Sequence, residues 1–163
     1  MENTTSDIMT KDLSTIHWSE SLETVSHKMH RLNIRHLPVV DDNGYLIGLI
    51  SERDVQRGRS AHTDFVRPEF VTIVRDYMTS PVEKISSDAN LQEVAHRMMA
   101  FKISAFVVVD NDEMVGILTS DDLLRLLISL LDNYQRPHNL YSDRLSYYSP
   151  IGEIANFFSQ AGI

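Results

Sequence analysis

The chain has 163 residues, no cysteine, and 15 lysines and arginines against 23 aspartates and glutamates, a formal charge of −8. Its 42% hydrophobic and 23% charged residues make an ordinary globular composition, long enough for one core or two small ones and far from the disordered regime. The acidic balance disfavours nucleic acid as a partner, and the lack of cysteine excludes disulfides, cysteine nucleophiles, thiolate zinc sites and cysteine-held iron–sulfur clusters.

Residues 1–7 carry acidic groups and no apolar run, so no secretion signal is expected there. The most apolar stretch, 123–131, is interrupted by Arg125 and Ser129 and is about half a bilayer span. The expectation is a cytoplasmic protein with neither a membrane nor a nucleic acid as its partner.

An internal repeat organises the chain. A shift of 69 puts Asp7 on Asp76, Met9 on Met78, Ile16 on Ile85, Leu22 on Leu91, Val25 on Val94, Met29 on Met98, Ile34 on Ile103 and Val39 on Val108. One residue drops out near Gly44, after which a shift of 68 puts Gly48 on Gly116, Ser51 on Thr119, Asp54 on Asp122 and Arg57 on Arg125.

In chain order, each copy starts with a short strand ending at Ile16 or Ile85. A polar N-cap, Ser21 or Asn90, then opens a helix, and Asn90 with Glu93 fits a capping box. Leu22, Val25, Met29 and Leu32, mirrored by Leu91, Val94, Met98 and Phe101, recur at spacings of three and four and predict one apolar face. The β-branched runs 37–40 and 106–109 predict buried strands. Turns at 41–44 and 110–112, rich in residues that tolerate left-handed backbone, lead into a second apolar run, so each copy is expected to form a hairpin. Ser51 and Thr119 then open the second helix.

The fold class is therefore α/β, two repeats of strand, helix, strand, strand, helix, packed with pseudo-two-fold symmetry because a unit of about 50 residues is marginal alone. The predicted divisions are residues 1–58, a linker 59–75, residues 76–132, and an extension 133–163. The extension holds Tyr134, Tyr141, Tyr147, Tyr148, Phe157 and Phe158, with a short helix expected from Ser149 and Pro150.

The chemistry-bearing motif is Ser51-Glu52-Arg53-Asp54 and its counterpart Thr119-Ser120-Asp121-Asp122. A hydroxyl at a helix start, beside free N–H groups and the positive end of the helix dipole, suits a phosphate, and a carboxylate three residues on can accept both hydroxyls of a ribose. The same pattern is also a plain N-cap, and the two roles can coexist. Asp121, standing where the first copy has Arg53, disfavours a polyphosphate in its cleft.

Ile8-Met9-Thr10, the run 34–41 (Ile-Arg-His-Leu-Pro-Val-Val-Asp), the run 48–54 (Gly-Leu-Ile-Ser-Glu-Arg-Asp), and their counterparts 77–79, 103–110 and 116–122 together resemble a tandem pair of cystathionine β-synthase (CBS) domains. The resemblance covers about residues 6–131. Length and terminal extension are similar to those of stand-alone bacterial pairs of the acetoin-utilisation type. It implies a non-enzymatic regulatory module that senses an adenosyl ligand, AMP, ADP, ATP or S-adenosylmethionine, in clefts between the repeats. It also implies a homodimer that transmits occupancy to a client protein. Carried over by position, it implies that Asp122 and Thr119 share one cleft with Thr10, Thr15, Ile34, Arg35 and His36, Arg35 replacing the missing arginine. Ser51, Arg53 and Asp54 share the other with Thr79, Lys84, Ile103, Ser104 and Ala105. Asn33 and Lys102 stand where the family prefers glycine and Val107 where it prefers proline; lysine adopts left-handed backbone less readily, so the second copy's wall is expected to differ.

His27 and His30 sit three apart on the first helix without an evident third ligand, and no metal is expected. The methionines read as core filling. With no Gly-x-Ser-x-Gly elbow and no glycine-rich phosphate loop, no nucleophile is named and no enzyme activity is expected.

Overall fold

The computed structural model describes residues 4–60 and 72–135, and the predicted helix at Ser149 and Pro150, with most of the aromatic extension and the linker's middle, lies outside them. Two compact units divide the chain, residues 1–130 and 131–163. The first unit carries both repeats.

A short helix α1 (Thr5–Ile8) precedes the first repeat, which comprises β1 (Ile16–His17), α2 (Leu22–Leu32), β2 (His36–Val40), β3 (Leu46–Ser51) and α3 (Glu52–Ser60). A 3₁₀ turn at Val74–Asp76 leads to the second, β4 (Lys84–Ile85), α4 (Leu91–Phe101), β5 (Ala105–Asp110), β6 (Glu113–Thr119) and α5 (Ser120–Gln135). Each repeat builds a three-stranded sheet, β1-β2-β3 or β4-β5-β6, with a parallel first pair and an antiparallel second. Both hairpins carry a register shift at the same place, between Val39 and Val40 and between Val108 and Val109.

Local sequence explains these elements. Ser21 accepts a hydrogen bond from the Thr24 N–H, and Asn90 accepts from those of Gln92 and Glu93, so both predicted caps form. Among the described residues, the Glu93 side chain makes no return bond to the Asn90 N–H. The reciprocal box forms instead at Thr4 and Asp7, at the start of α1. Leu22, Val25 and Met29, with Leu91, Val94 and Met98, are buried. Leu32 and Phe101 correct the predicted face: both end their helices' last turn and are exposed. The helices stop at Asn33 and Lys102, both left-handed at φ 52° and 55°. Lys102 thus takes the conformation expected to trouble it, and Ile34 and Ile103 N–H groups reach the carbonyls of Met29 and Met98 alike at 3.0 Å.

Two cores result. In the first, Leu37, Val39, Ile50 and Val25 are fully buried; in the second, Phe106, Val108, Leu118 and Val94 are. Burying each such side chain contributes roughly 1.5–3 kcal/mol before entropy is counted.

The arms before each repeat are exchanged. Thr5 and Ser6 donate to the carbonyls of Ala89 and Ser87, and Ile8 and Met9 pack on the second core. Reciprocally, Val74 is fully buried in the first core, and Tyr77 and Met78 pack on it. Thr10 exchanges N–H and C=O bonds with Ile117 of β6, and Thr79 does so with Leu49 of β3. Each sheet is thereby extended by the arm leading into the other repeat, which ties the two together about their pseudo-two-fold axis.

Candidate functional site

Each repeat ends its hairpin at a hydroxyl residue and turns at once into a helix. Ser51 closes β3 before α3, and Thr119 closes β6 before α5. Asp54 Oδ2 accepts from the Ser51 N–H at 2.9 Å and its hydroxyl at 2.6 Å; Asp122 Oδ2 accepts the same pair from Thr119 at 2.8 and 2.7 Å. In return the Ser51 hydroxyl accepts from the Asp54 N–H at 3.3 Å and the Thr119 hydroxyl from the Asp122 N–H at 3.4 Å, so the N-cap reading of this motif is realised in both copies. The other carboxylate oxygens face arginines one turn on, Asp54 Oδ1 at 3.1 Å from Arg57 and Asp122 Oδ1 at 4.0 Å from Arg125. Both aspartates are more than nine-tenths buried, at 9% and 8% exposure, and they are the buried carboxylates among the described residues.

Two clefts open beside these aspartates. The first, of about 330 Å³, brings Thr119 and Asp122 of the second repeat against Thr10, Ile34, Arg35 and His36 of the first half. The second, of about 260 Å³, brings Ser51, Arg53 and Asp54 against Thr79, Ile103, Ser104 and Ala105. The first lies at the lower end of the range of about 300–1,000 Å³ for small-molecule sites, and the second falls just below it. Ile34 and Ile117 in one, and Ile103 with Leu49 in the other, supply apolar wall against which a flat ring can lie.

Thr15 and Lys84 line neither cleft. The Thr15 carbonyl accepts from Lys28 Nζ, and Lys84 is exposed and already in β4, paired in register with Val107. The chain passes the clefts earlier, at Leu13 and Ser14 and at Val82 and Glu83. Sequence reasoning missed these four; the 69-residue shift relates Leu13 to Val82 and Ser14 to Glu83, but no sequence signal places any of them at a cleft. Where proline is replaced, the Val107 N–H donates to the Glu83 carbonyl at 3.4 Å, a bond Pro38 cannot make.

Two further features depart from expectation. Arg35 does not stand open as a replacement arginine: its Nη2 reaches both carboxylate oxygens of Asp121. His36 lines both clefts rather than one, and its Nε2 lies 3.0 Å from Ser104 Oγ of the other repeat. Burial first, then the Arg35 guanidinium, holds the His36 imidazole below its ordinary 6.5, with Asp121 and Asp54 pulling the other way.

Among the described residues, no group of three His, Cys, Asp or Glu side chains is placed to hold a metal, and no helix is long and apolar enough to cross a membrane.

The CBS domain family matches residues 6–60 and 74–129, one stretch for each repeat. A homoserine O-acetyltransferase of Methanohalobium evestigatum is 30% identical over 123 residues, covering 75% of this chain and 24% of its own length. The chain thus spans about a quarter of that relative. An uncharacterized protein of Bacillus subtilis, YlbB, is 30% identical over 72% of this chain and 77% of its own. Among solved structures, a Vibrio cholerae protein given the acetoin-utilization name AcuB is similar at a TM-score of 0.69 and 30% identity, covering 85% of this chain and 99% of that one. The CBS domain pair of protein MJ0100, solved with 5′-methylthioadenosine and S-adenosyl-L-methionine, gives 0.70 and 29% over 80% and 99%. CBSX2, solved with AMP, gives 0.66 and 26% over 78% and 98%. With duplicated sheets, exchanged arms and a family match to each half, the chain belongs to the CBS domain family and carries two CBS domains in tandem.

Proposed function

We propose that the chain is a non-enzymatic regulatory module that binds an adenosyl ligand, AMP, ADP, ATP or S-adenosylmethionine, in its two clefts and passes occupancy to a partner. The observation that carries this reading is the duplicated cleft: a buried aspartate at the start of α3 or α5 faces a wall from the other repeat. A diol on one side and a ring on the other would be gripped by both repeats together. Such a ligand favours the bridged arrangement by its differential affinity, and that shift is what a partner reads. The adenosyl compounds bound by MJ0100 and CBSX2 support the ligand class.

A second copy of the chain is the partner that α5 suits. Leu124, Leu127 and Ile128 are exposed at spacings that form one stripe, and Leu130 is exposed beside them. The extension 133–163 is the proposed element that contacts a client, in a cytoplasmic setting.

The alternative is a structural or dimerisation module with empty clefts. The completed caps at Ser51–Asp54 and Thr119–Asp122 favour it, because each aspartate already has a role within its own repeat. A thermal-shift panel with the four adenosyl compounds separates the readings: a ligand at 100 times its dissociation constant adds about 2.7 kcal/mol to stability. The sensing reading expects a shift that Asp54→Ala or Asp122→Ala reduces. No shift with any of the four supports the structural module.

A further inference from the structure

We infer that the two clefts divide their ligands by charge: the Asp54 cleft takes an adenosyl compound carrying phosphates, and the Asp122 cleft takes one without them. The inference rests on the adenosyl reading above and concerns which member of that class each cleft accepts.

The division follows from which charges already have partners. At the Asp54 cleft, Asp54 is paired with Arg57 at 3.1 Å, and Glu83 with Arg97 at 3.2 Å. Arg53 and Lys102 also line this cleft, and neither makes an ion pair among the described residues. Two uncompensated cations therefore face it. At the Asp122 cleft the balance is reversed. Arg35 is held by Asp121, and Arg125 stands near Asp122 at 4.0 Å, while Asp12 lines the cleft with no ion pair among the described residues. One uncompensated anion remains.

The exchange is specific in position. Arg53 and Asp121 are equivalent residues, each second in its helix, where the helix dipole and the first-turn N–H groups already favour an anion. Arg53 adds a cation to that spot; Asp121 cancels it. Lys102 and Asn33 are also equivalent, sharing the left-handed backbone that ends α4 and α2, so the same geometry presents an ammonium to one cleft and a neutral amide to the other. Charge-assisted hydrogen bonds to phosphate strengthen binding by about tenfold or more each where sheltered. A polyphosphate is accordingly attracted to one cleft and repelled at the other, while the ribose-facing aspartate and apolar wall are common to both.

Calorimetric titration of the full chain with ATP and with adenosine, in magnesium-free buffer, tests this. Asp122→Asn leaves the Asp54 cleft intact, and Asp54→Asn leaves the other; asparagine keeps an acceptor for the capping N–H and guards the fold. The expected result is ATP binding at least about tenfold tighter than adenosine in Asp122→Asn, and adenosine binding at least as tightly as ATP in Asp54→Asn. Adding Arg53→Asp to Asp122→Asn should erase the preference for ATP, and adding Asp121→Arg to Asp54→Asn should create one. Equal ATP-to-adenosine ratios in the two single variants, or an ATP preference at the Asp122 cleft, would overturn the division while leaving adenosyl binding in place. Wild-type protein that binds neither compound overturns the division, and if AMP, ADP and S-adenosylmethionine also fail to bind, the adenosyl reading itself falls with it.

Discussion

Arg35, just ahead of β2, donates through one nitrogen to both carboxylate oxygens of Asp121 in the first turn of α5, joining the two repeats at the rim of the larger cleft. Both side chains are about half exposed, at 56% and 43%, so water competes for each charge. An exposed pair of this kind contributes about 0.2–1 kcal/mol. A double-mutant cycle on Arg35→Ala and Asp121→Ala, read by urea unfolding, should give a coupling in that range that shrinks in high salt. A coupling several times larger would mean that the contact organises the interface rather than the charge of the cleft.

The capping aspartates behave differently because they are buried. Removing Asp54 or Asp122 leaves a hydroxyl and an N–H at the strand–helix junction without their acceptor. Asp54→Ala and Asp122→Ala should each cost about 1–2 kcal/mol in the absence of any ligand. Chemical denaturation of ligand-free protein checks this, and it sets the baseline from which ligand effects in the same variants must be read. Unchanged stability in both would show that neither cap contributes.

Close approach of the exchanged arms makes two glycines sensitive. A Cβ on Gly48 would sit 2.5 Å from Met78 Sδ and 3.1 Å from the Thr79 carbonyl; on Gly116 it would sit 2.6 Å from Met9 Sδ and 3.1 Å from the Thr10 carbonyl. The methionines can move, but the carbonyls are fixed by their bridges to Leu49 and Ile117. Gly48→Ala and Gly116→Ala should each destabilise by about 1–3 kcal/mol, as overpacking does. Thermal unfolding of the two variants tests it, and similar losses are expected because the two surroundings match. A stable Gly116→Ala would mean that the first arm can lift off β6.

His36 gives the fold a pH response of known sign. Burial and Arg35 favour its neutral form in the folded chain, against Asp121 and Asp54, while Ser104 touches its ring. The unfolded chain therefore binds the proton more readily. The stability contributed by the neutral ring is present above the ordinary 6.5 and is lost as pH falls from there toward the lower folded value. Unfolding midpoints compared at about pH 7.5 and about pH 5.5 should drop further in wild type than in His36→Gln. Equal drops in the two proteins would place the pH response elsewhere.

Much of the fold is written in the sequence as repetition. Ser21 and Asn90, or Asn33 and Lys102, are related by one shift of 69, so periodicity and capping residues locate both helices in both copies. Exchange of the arms follows the same repeat but has no local signature: Thr10 looks like the start of its own repeat, and only the backbone bridge to Ile117 places it on the other, as the bridge to Leu49 does for Thr79. The aspartates of the clefts are legible because a helix-start motif is local. Val82 and Glu83 are not, since their role depends on where a loop crosses a neighbouring repeat. Arg35 shows the same limit, because a cation's availability depends on a partner 86 residues away. Leu32 and Phe101 fit the apolar spacing yet are exposed, since the last turn of each helix outruns the core beneath it.

Co-crystallisation of the chain with ATP bears most directly on sensing. The account predicts the ribose hydroxyls on Asp54, with the phosphates at the start of α3 beside Arg53. Well-ordered ATP seated elsewhere on the protein, with both grooves bare, would contradict it.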